Sequence, residues 1–156
     1  MMMLKDCLPY FGRENKLKAL IRLEHRLLAK HKTLSFVVNS YIYYKSHCDI
    51  SAFAEIHESV HFPHPIGIVI GDGVSIGPGC SIYQNVTLGA IKRNNIYYYP
   101  SIESNVLIYP NSVVIGNVHV RKGSIIGAGS VITKDTEANS VNYGVAASCH
   151  RIHDEF

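Results

Sequence analysis

Residues 102–132 read IESNVLIYPNSVVIGNVHVRKGSIIGAGSVI, and their spacing decides the fold. An aliphatic residue returns every sixth position, as Ile102, Ile108, Val114, Val120, Ile126 and Ile132. Two-thirds of the way through each unit stands a small or β-branched residue, as Val106, Ser112, Val118, Ser124, Ser130 and Thr136. Working back, the same register carries Ile70, Ile76, Ile82 and Leu88, with Val74, Cys80 and Val86 in the second position. An earlier block holds Ile50, Ile56 and Phe62, with Ala54, Val60 and Ile66, and a two-residue slip at Ile68–Val69 precedes Ile70. A period of six is neither helical nor a plain alternation. It fits short strands joined by tight turns that stack as coils, each aliphatic residue pointing into a shared interior. An antiparallel sheet would instead space its strands by 8–12 residues.

Outside the coils the chain reads differently. Leu17, Leu20, Ile21, Leu27 and Leu28 form an apolar stripe at helical spacing, with Arg22, Arg26 and Lys30 opposite. A second helical stretch covers about Thr33 to Tyr44, with Leu34, Val37, Val38 and Tyr41 as its apolar residues. Between Leu88 and Ile102 the six-fold register lapses, so residues 90–101 are expected to form a loop thrown out of the coil. The expected organisation is a helical segment over 1–48, a β-helix over 49–137 with that excursion, and a tail over 138–156.

Composition narrows the classes. The 156 residues suit one domain, and 47% hydrophobic with 17% charged residues excludes a disordered chain. No apolar run approaches the 18 residues a membrane helix needs, and Lys5 and Asp6 spoil the N-terminus as a signal peptide. Cys7, Cys48, Cys80 and Cys149 are scattered without zinc or disulfide spacing, which points to the reducing cytoplasm. Residues 1–48 carry a net +6 and the remainder −3. A basic segment of this kind can meet a membrane surface, but solvated helix faces explain it better, and no nucleic-acid partner is expected.

The coil pattern resembles the hexapeptide-repeat acyltransferases, whose fold is a left-handed parallel β-helix. From Asp49 to about Ser130 the chain is similar to serine acetyltransferase. His64-Pro65-Ile66-Gly67-Ile68-Val69 matches that family's catalytic His-x-x-Gly-Ile-Val motif, and Asp49-Ile50-Ser51-Ala52-Phe53-Ala54 matches its Asp-Ile-x-x-x-Ala run. The resemblance implies His64 as general base, with Asp49 orienting its imidazole. Imidazole suits that role because it titrates near neutrality, and a carboxylate partner fixes its tautomer. It also implies acetyl-CoA as co-substrate, a homotrimer with sites between subunits, and Gly89, Ala90, Ala128 and Lys134 beside the cofactor. The alternatives are a turn histidine at 64 and a capping aspartate at 49.

Two departures bear on the acceptor. Serine acetyltransferases have Asp-His where this chain has Pro63-His64, and Arg-His-Pro where it has Tyr98-Tyr99-Pro100. Loss of one acidic and one basic contact, with a tyrosine triplet at 97–99, directs the expectation toward a sugar or glycan hydroxyl of a surface polysaccharide. Pro63, Tyr98 and Tyr99 are then the acceptor-facing residues. Serine itself is the alternative acceptor, and a β-helix scaffold without catalysis is the alternative of another class. A zinc site on His57, His61 and His64 is disfavoured, because three histidines within eight residues of one coil point to different faces.

Overall fold

A computed structural model describes residues 8–145. Two helices, α1 (Leu8–Leu28) and α2 (Lys32–Ser46), precede fifteen short strands. Thirteen of these strands form three parallel sheets that wrap one interior. The first sheet stacks β1 (Asp49–Ile50), β3 (Val69–Ile70), β6 (Thr87–Gly89), β11 (Val113–Ile115) and β14 (Val131–Ile132). The second stacks β2 (Glu55–Ile56), β4 (Ser75–Ile76), β9 (Ser101–Ile102) and β12 (His119–Val120). The third stacks β5 (Ser81–Ile82), β10 (Leu107–Ile108), β13 (Ile125–Ile126) and β15 (Val141–Asn142), so pairing runs on past residue 137.

The six-residue register is the register of the interior. Ile50, Ile70, Ile82, Leu88, Ile108, Val114, Val120 and Ile126 are all buried, and the corner residues Val74, Cys80, Val86, Val106, Ser112, Ser124 and Ser130 lie between them. Buried hydroxyls at these corners stay paired: Ser112 Oγ donates to the Tyr109 carbonyl at 2.7 Å, and Ser124 Oγ to that of Glu137 at 2.8 Å. Cys48 and Cys80 are buried free thiols, while Cys7 and Cys149 lie outside the described residues.

Helix α1 buries Leu17 and Ile21 of its predicted stripe. Helix α2 follows its sequence pattern only at Val38, which is partly buried against the core. Leu34, Val37 and Tyr41 are exposed, and the buried positions are Ser35 and Ile42. Its orientation is set by the end of the coil it covers, where Asn39 Nδ2 donates to the Ile50 carbonyl at 2.8 Å.

The slip and the lapse both have a structural cause. Strand partners are eighteen residues apart in a regular coil (Val69↔Thr87) but twenty apart in the first (Asp49↔Val69, Glu55↔Ser75, His61↔Ser81). The two extra residues fall in the corner between Phe62 and Val69, which carries His64. Ile68, fully buried, takes the corner position expected of Ile66, which is 47% exposed. Gly67 turns the corner at φ +64°, and the Asn85 side chain stacked on it fills the space a Cβ would need.

The expected loop at 90–101 is a hairpin. Strands β7 (Ile91–Arg93) and β8 (Ile96–Tyr98) pair antiparallel across Asn94 and Asn95, both at positive φ as a two-residue type I′ turn demands. Its foot rests on the coil. Ile91 packs over Gly116, and the Tyr99 ring lies flat against Gly71 and Gly73. A Cβ at Gly73 would come within 2.5 Å of Tyr99 Cδ2. Gly73→Ala should therefore displace that ring and cost about 1–3 kcal/mol in chemical denaturation, as overpacking does elsewhere. An unchanged midpoint would show that the tyrosine is free to move.

Candidate active site

His64 sits half-buried on the widened corner between the third and first sheets. Pro65 beside it is buried, and the Ile66 N–H donates to the His64 carbonyl at 2.8 Å, so the turn is held from both sides. The imidazole faces the ring of Tyr83 at 6.1 Å between centroids, tilted by 56°. Tyr83 in turn stacks on Tyr109 at 5.3 Å. Both tyrosines occupy the residue that follows a third-sheet strand, so the coil repeat brings them into line with the histidine corner. Such a stack limits the directions His64 can take. The sequence held this signal as two tyrosines in the same phase, directly after Ile82 and Ile108.

Asp49 opens β1 and is exposed. Its N–H donates to the Ile68 carbonyl at 2.8 Å, and its strand partner is Val69. The aspartate therefore lies directly against the corner that carries His64.

The remaining expected site residues divide between the two edges of the first sheet. Gly89 ends β6, Ala90 starts the hairpin, and Lys134 is exposed on the corner after β14. The Gly116 N–H, donated to the Gly89 carbonyl at 3.1 Å, ties Gly89 to the next coil. Ala128, also exposed, lies on the opposite edge with His64, Tyr83 and Tyr109. Pro63 and Tyr98 are half-buried, Pro63 beside His64 and Tyr98 at the end of β8. Tyr99 is spent on packing against Gly71 and Gly73. Of the stretch 144–147, Gly144 and Val145 are described, and Ala146 and Ala147 lie outside the described residues.

The rival histidines have other partners. His57 Nδ1 bonds Ser59 Oγ at 2.8 Å, and His61 Nδ1 bonds Glu14 Oε1 at 3.0 Å. Among the described residues no three His, Cys, Asp or Glu side chains are grouped to hold a metal ion.

The bacterial transferase hexapeptide (six repeats) family matches residues 99–134. The chain belongs to the hexapeptide-repeat family. Among curated relatives, the serine acetyltransferase of Buchnera aphidicola is 37% identical over 117 residues, which is 74% of this chain and 43% of that protein. Among solved structures, serine acetyltransferase from Neisseria gonorrhoeae in complex with serine superposes with a TM-score of 0.75 and 30% identity, over 83% of this chain and 54% of that one. A serine acetyltransferase in complex with CoA gives 0.75 and 30%, over 83% and 53%. The coils are therefore those of a left-handed β-helix. The chain spans about half the length of the relatives it matches.

These relatives overturn the expected acceptor. The curated relatives from Buchnera aphidicola, Arabidopsis thaliana and Salmonella typhimurium and the solved neighbour from Neisseria gonorrhoeae are serine acetyltransferases, which counts against the sugar or glycan reading built on Pro63 and the tyrosine triplet. Substitutions around an acceptor change its contacts, and they do not by themselves identify a new one.

Proposed function

We propose that this protein is an acetyltransferase that moves acetyl from acetyl-CoA to the hydroxyl of serine. The reading is carried by one observation: the coils that superpose on serine acetyltransferases, one in complex with CoA and one with serine, bear His64 on a corner lengthened by two residues, and the Asp49 N–H bonds the Ile68 carbonyl at the end of that corner. In this reading His64 accepts the hydroxyl proton as the oxygen attacks the thioester carbonyl. The C–S bond then breaks, and the imidazolium returns the proton to the departing thiolate. Asp49 holds the imidazole in the tautomer that leaves its far nitrogen free. The exposed Ala128 and Lys134 and the backbone at Gly89–Ala90 would receive the long arm of CoA, with a neighbouring subunit of a homotrimer closing the groove. No helix among the described residues is long and apolar enough to cross a membrane. The buried free thiols of Cys48 and Cys80 suit a reducing cytoplasm, where acetyl-CoA is made.

The test is thiol release from acetyl-CoA with L-serine as the acceptor. A serine-dependent rate is expected, with a high KM because Pro63 and Tyr98 supply no charge to a zwitterion. The double substitution Pro63→Asp with Tyr98→Arg should restore one contact of each sign and lower that KM by about ten-fold, since one hydrogen bond to a charged group contributes about 1.5–3 kcal/mol. A release rate that ignores serine in both forms would overturn the assignment.

A further inference from the structure

A cavity of about 370 Å³ lies between α1, α2 and the corner that follows β1. Glu24, Lys32, Asn39, Asp49, Phe53 and Asp72 are among its walls. Glu24 is one of the lining residues and is 1% exposed. Neither of its carboxylate oxygens has a hydrogen-bond partner among the described residues. Of the donors nearby, Asn39 gives one amide N–H to the Ile50 carbonyl at 2.8 Å and lies close enough to Glu24 to act on its carboxyl with the other, while Ser35 Oγ donates to the backbone carbonyl of Glu24 at 3.3 Å. Burial raises the Glu24 carboxyl from an ordinary 4.5 to about 7, with Asn39 holding back part of the rise. A buried carboxylate with no donor at full hydrogen-bond geometry is costly in an interior and is uncommon there unless something fills the space.

The missing partner can be described by its chemistry. It must donate hydrogen bonds and carry positive charge, because Asp49 and Asp72 stand at the same cavity with Lys32 as the one cation in its lining. The exposed Phe36 and Phe53 give it an apolar rim. A metal ion is a poor fit, since among the described residues no three His, Cys, Asp or Glu side chains are grouped to ligate one. A primary ammonium fits, having three donors and one charge in a compact head. The volume falls in the range of small-molecule sites.

We propose that this cavity binds the primary ammonium group of a small amine, with the Glu24 carboxylate as its buried partner. As a binding site it stands apart from the acetyl transfer proposed above, although the presence of Asp49 in both brings the two together. The ammonium has two sources, a simple amine or an amino acid, and Lys32 separates them. It would meet the carboxylate of an amino acid and has nothing to meet on a plain amine.

Calorimetry of the intact protein with ethanolamine, L-serine and glycerate tests this directly. Ethanolamine or serine should bind with a Kd of about 1 mM or tighter, and glycerate, which lacks the ammonium, should not. Glu24→Gln should weaken the amine by at least about ten-fold, because a buried charged partner is lost. Lys32→Ala should weaken serine alone if an amino acid is the occupant, and neither ligand if a simple amine is. Pairing with an ammonium holds Glu24 in its charged form, so wild-type binding at pH 6 should release a proton, seen as a heat that varies with the buffer. Of the other titrating groups, Asp49, Asp72 and Lys32 line the cavity, and His25, next to Glu24 on α1, lines a different one. Absence of amine binding, equal binding by Glu24→Gln, or a buffer-independent heat would each overturn the proposal. Amine binding without any serine-dependent acetyl transfer would sink the proposed reaction and leave this site intact.

Discussion

Replacing His64 with alanine should lower serine-dependent turnover by about 10²–10⁴-fold while leaving acetyl-CoA binding close to wild type, the span expected when a positioned general base is lost. The separation of the two effects follows from the fold. His64 stands on a corner made by two extra residues, and its removal leaves the six-residue register of the strands untouched. Asp49→Asn should cost less, because the amide disturbs the tautomer and the imidazolium while the base remains. Asp49 meets the histidine corner through the Ile68 carbonyl, a backbone bond that the substitution keeps. The double variant should fall little below His64→Ala, since two residues acting as one unit are not additive. A His64→Ala enzyme with near-full turnover would refute the dyad and move attention to Tyr83 and the hairpin.

The parts of this molecule that were legible in the sequence are those where one position has one duty. Ile70, Ile82, Ile108 and Ile126 must all point inward, so their spacing states the coil, and the structure buries each of them. The slip was visible too, because a coil cannot absorb two residues silently. Its placement was less clear: Ile66 and Ile68 are equally apolar, and only the turn around Gly67 decides that Ile68 goes in. Helix α2 misled for the opposite reason. Leu34, Val37 and Tyr41 make an apolar face that the described residues do not cover, while the packed face uses Ser35, Ile42 and, in part, Val38. The hairpin was hidden by its brevity, although Asn94-Asn95 is a turn signal. At the candidate site, Asp49 and His64 stand in motifs that the sequence displays, and the Tyr83–Tyr109 stack, two tyrosines in one phase of the repeat, takes its meaning only once coils are layered. The acceptor was misread because Pro63 and Tyr98 record contacts that are missing, and a missing contact has no chemistry of its own.

Glu24 was the least legible residue: helical spacing sets it inside the stripe of Leu17, Leu20, Ile21, Leu27 and Leu28, opposite Arg22, Arg26 and Lys30, but its charge argues against burial there. Its burial gives the second large expected effect. The folded chain holds the Glu24 proton up to about pH 7, whereas an unfolded chain gives it up near 4.5. The folded state therefore binds more protons between those values, so its stability falls as pH rises from about 4.5 and the contribution is fully lost above about 7. At about 1.4 kcal/mol per pH unit, the ligand-free wild type should lose roughly 3 kcal/mol across that window through this group alone. His25, the next residue, has the opposite sign: burial lowers its pKa, so it destabilises the fold as pH falls below 6.5. The two slopes oppose each other in the wild type, and a comparison with Glu24→Gln isolates the first. That variant should match the wild type at pH 4.5 and be more stable by up to about 3 kcal/mol at pH 8, in urea titrations without amine. An ammonium seated in the cavity should narrow this gap, because it supplies the charge and the donors that the buried carboxylate lacks. A constant difference between variant and wild type across the range would mean that Glu24 ionises as freely in the folded chain as in the unfolded one, and that water already reaches it.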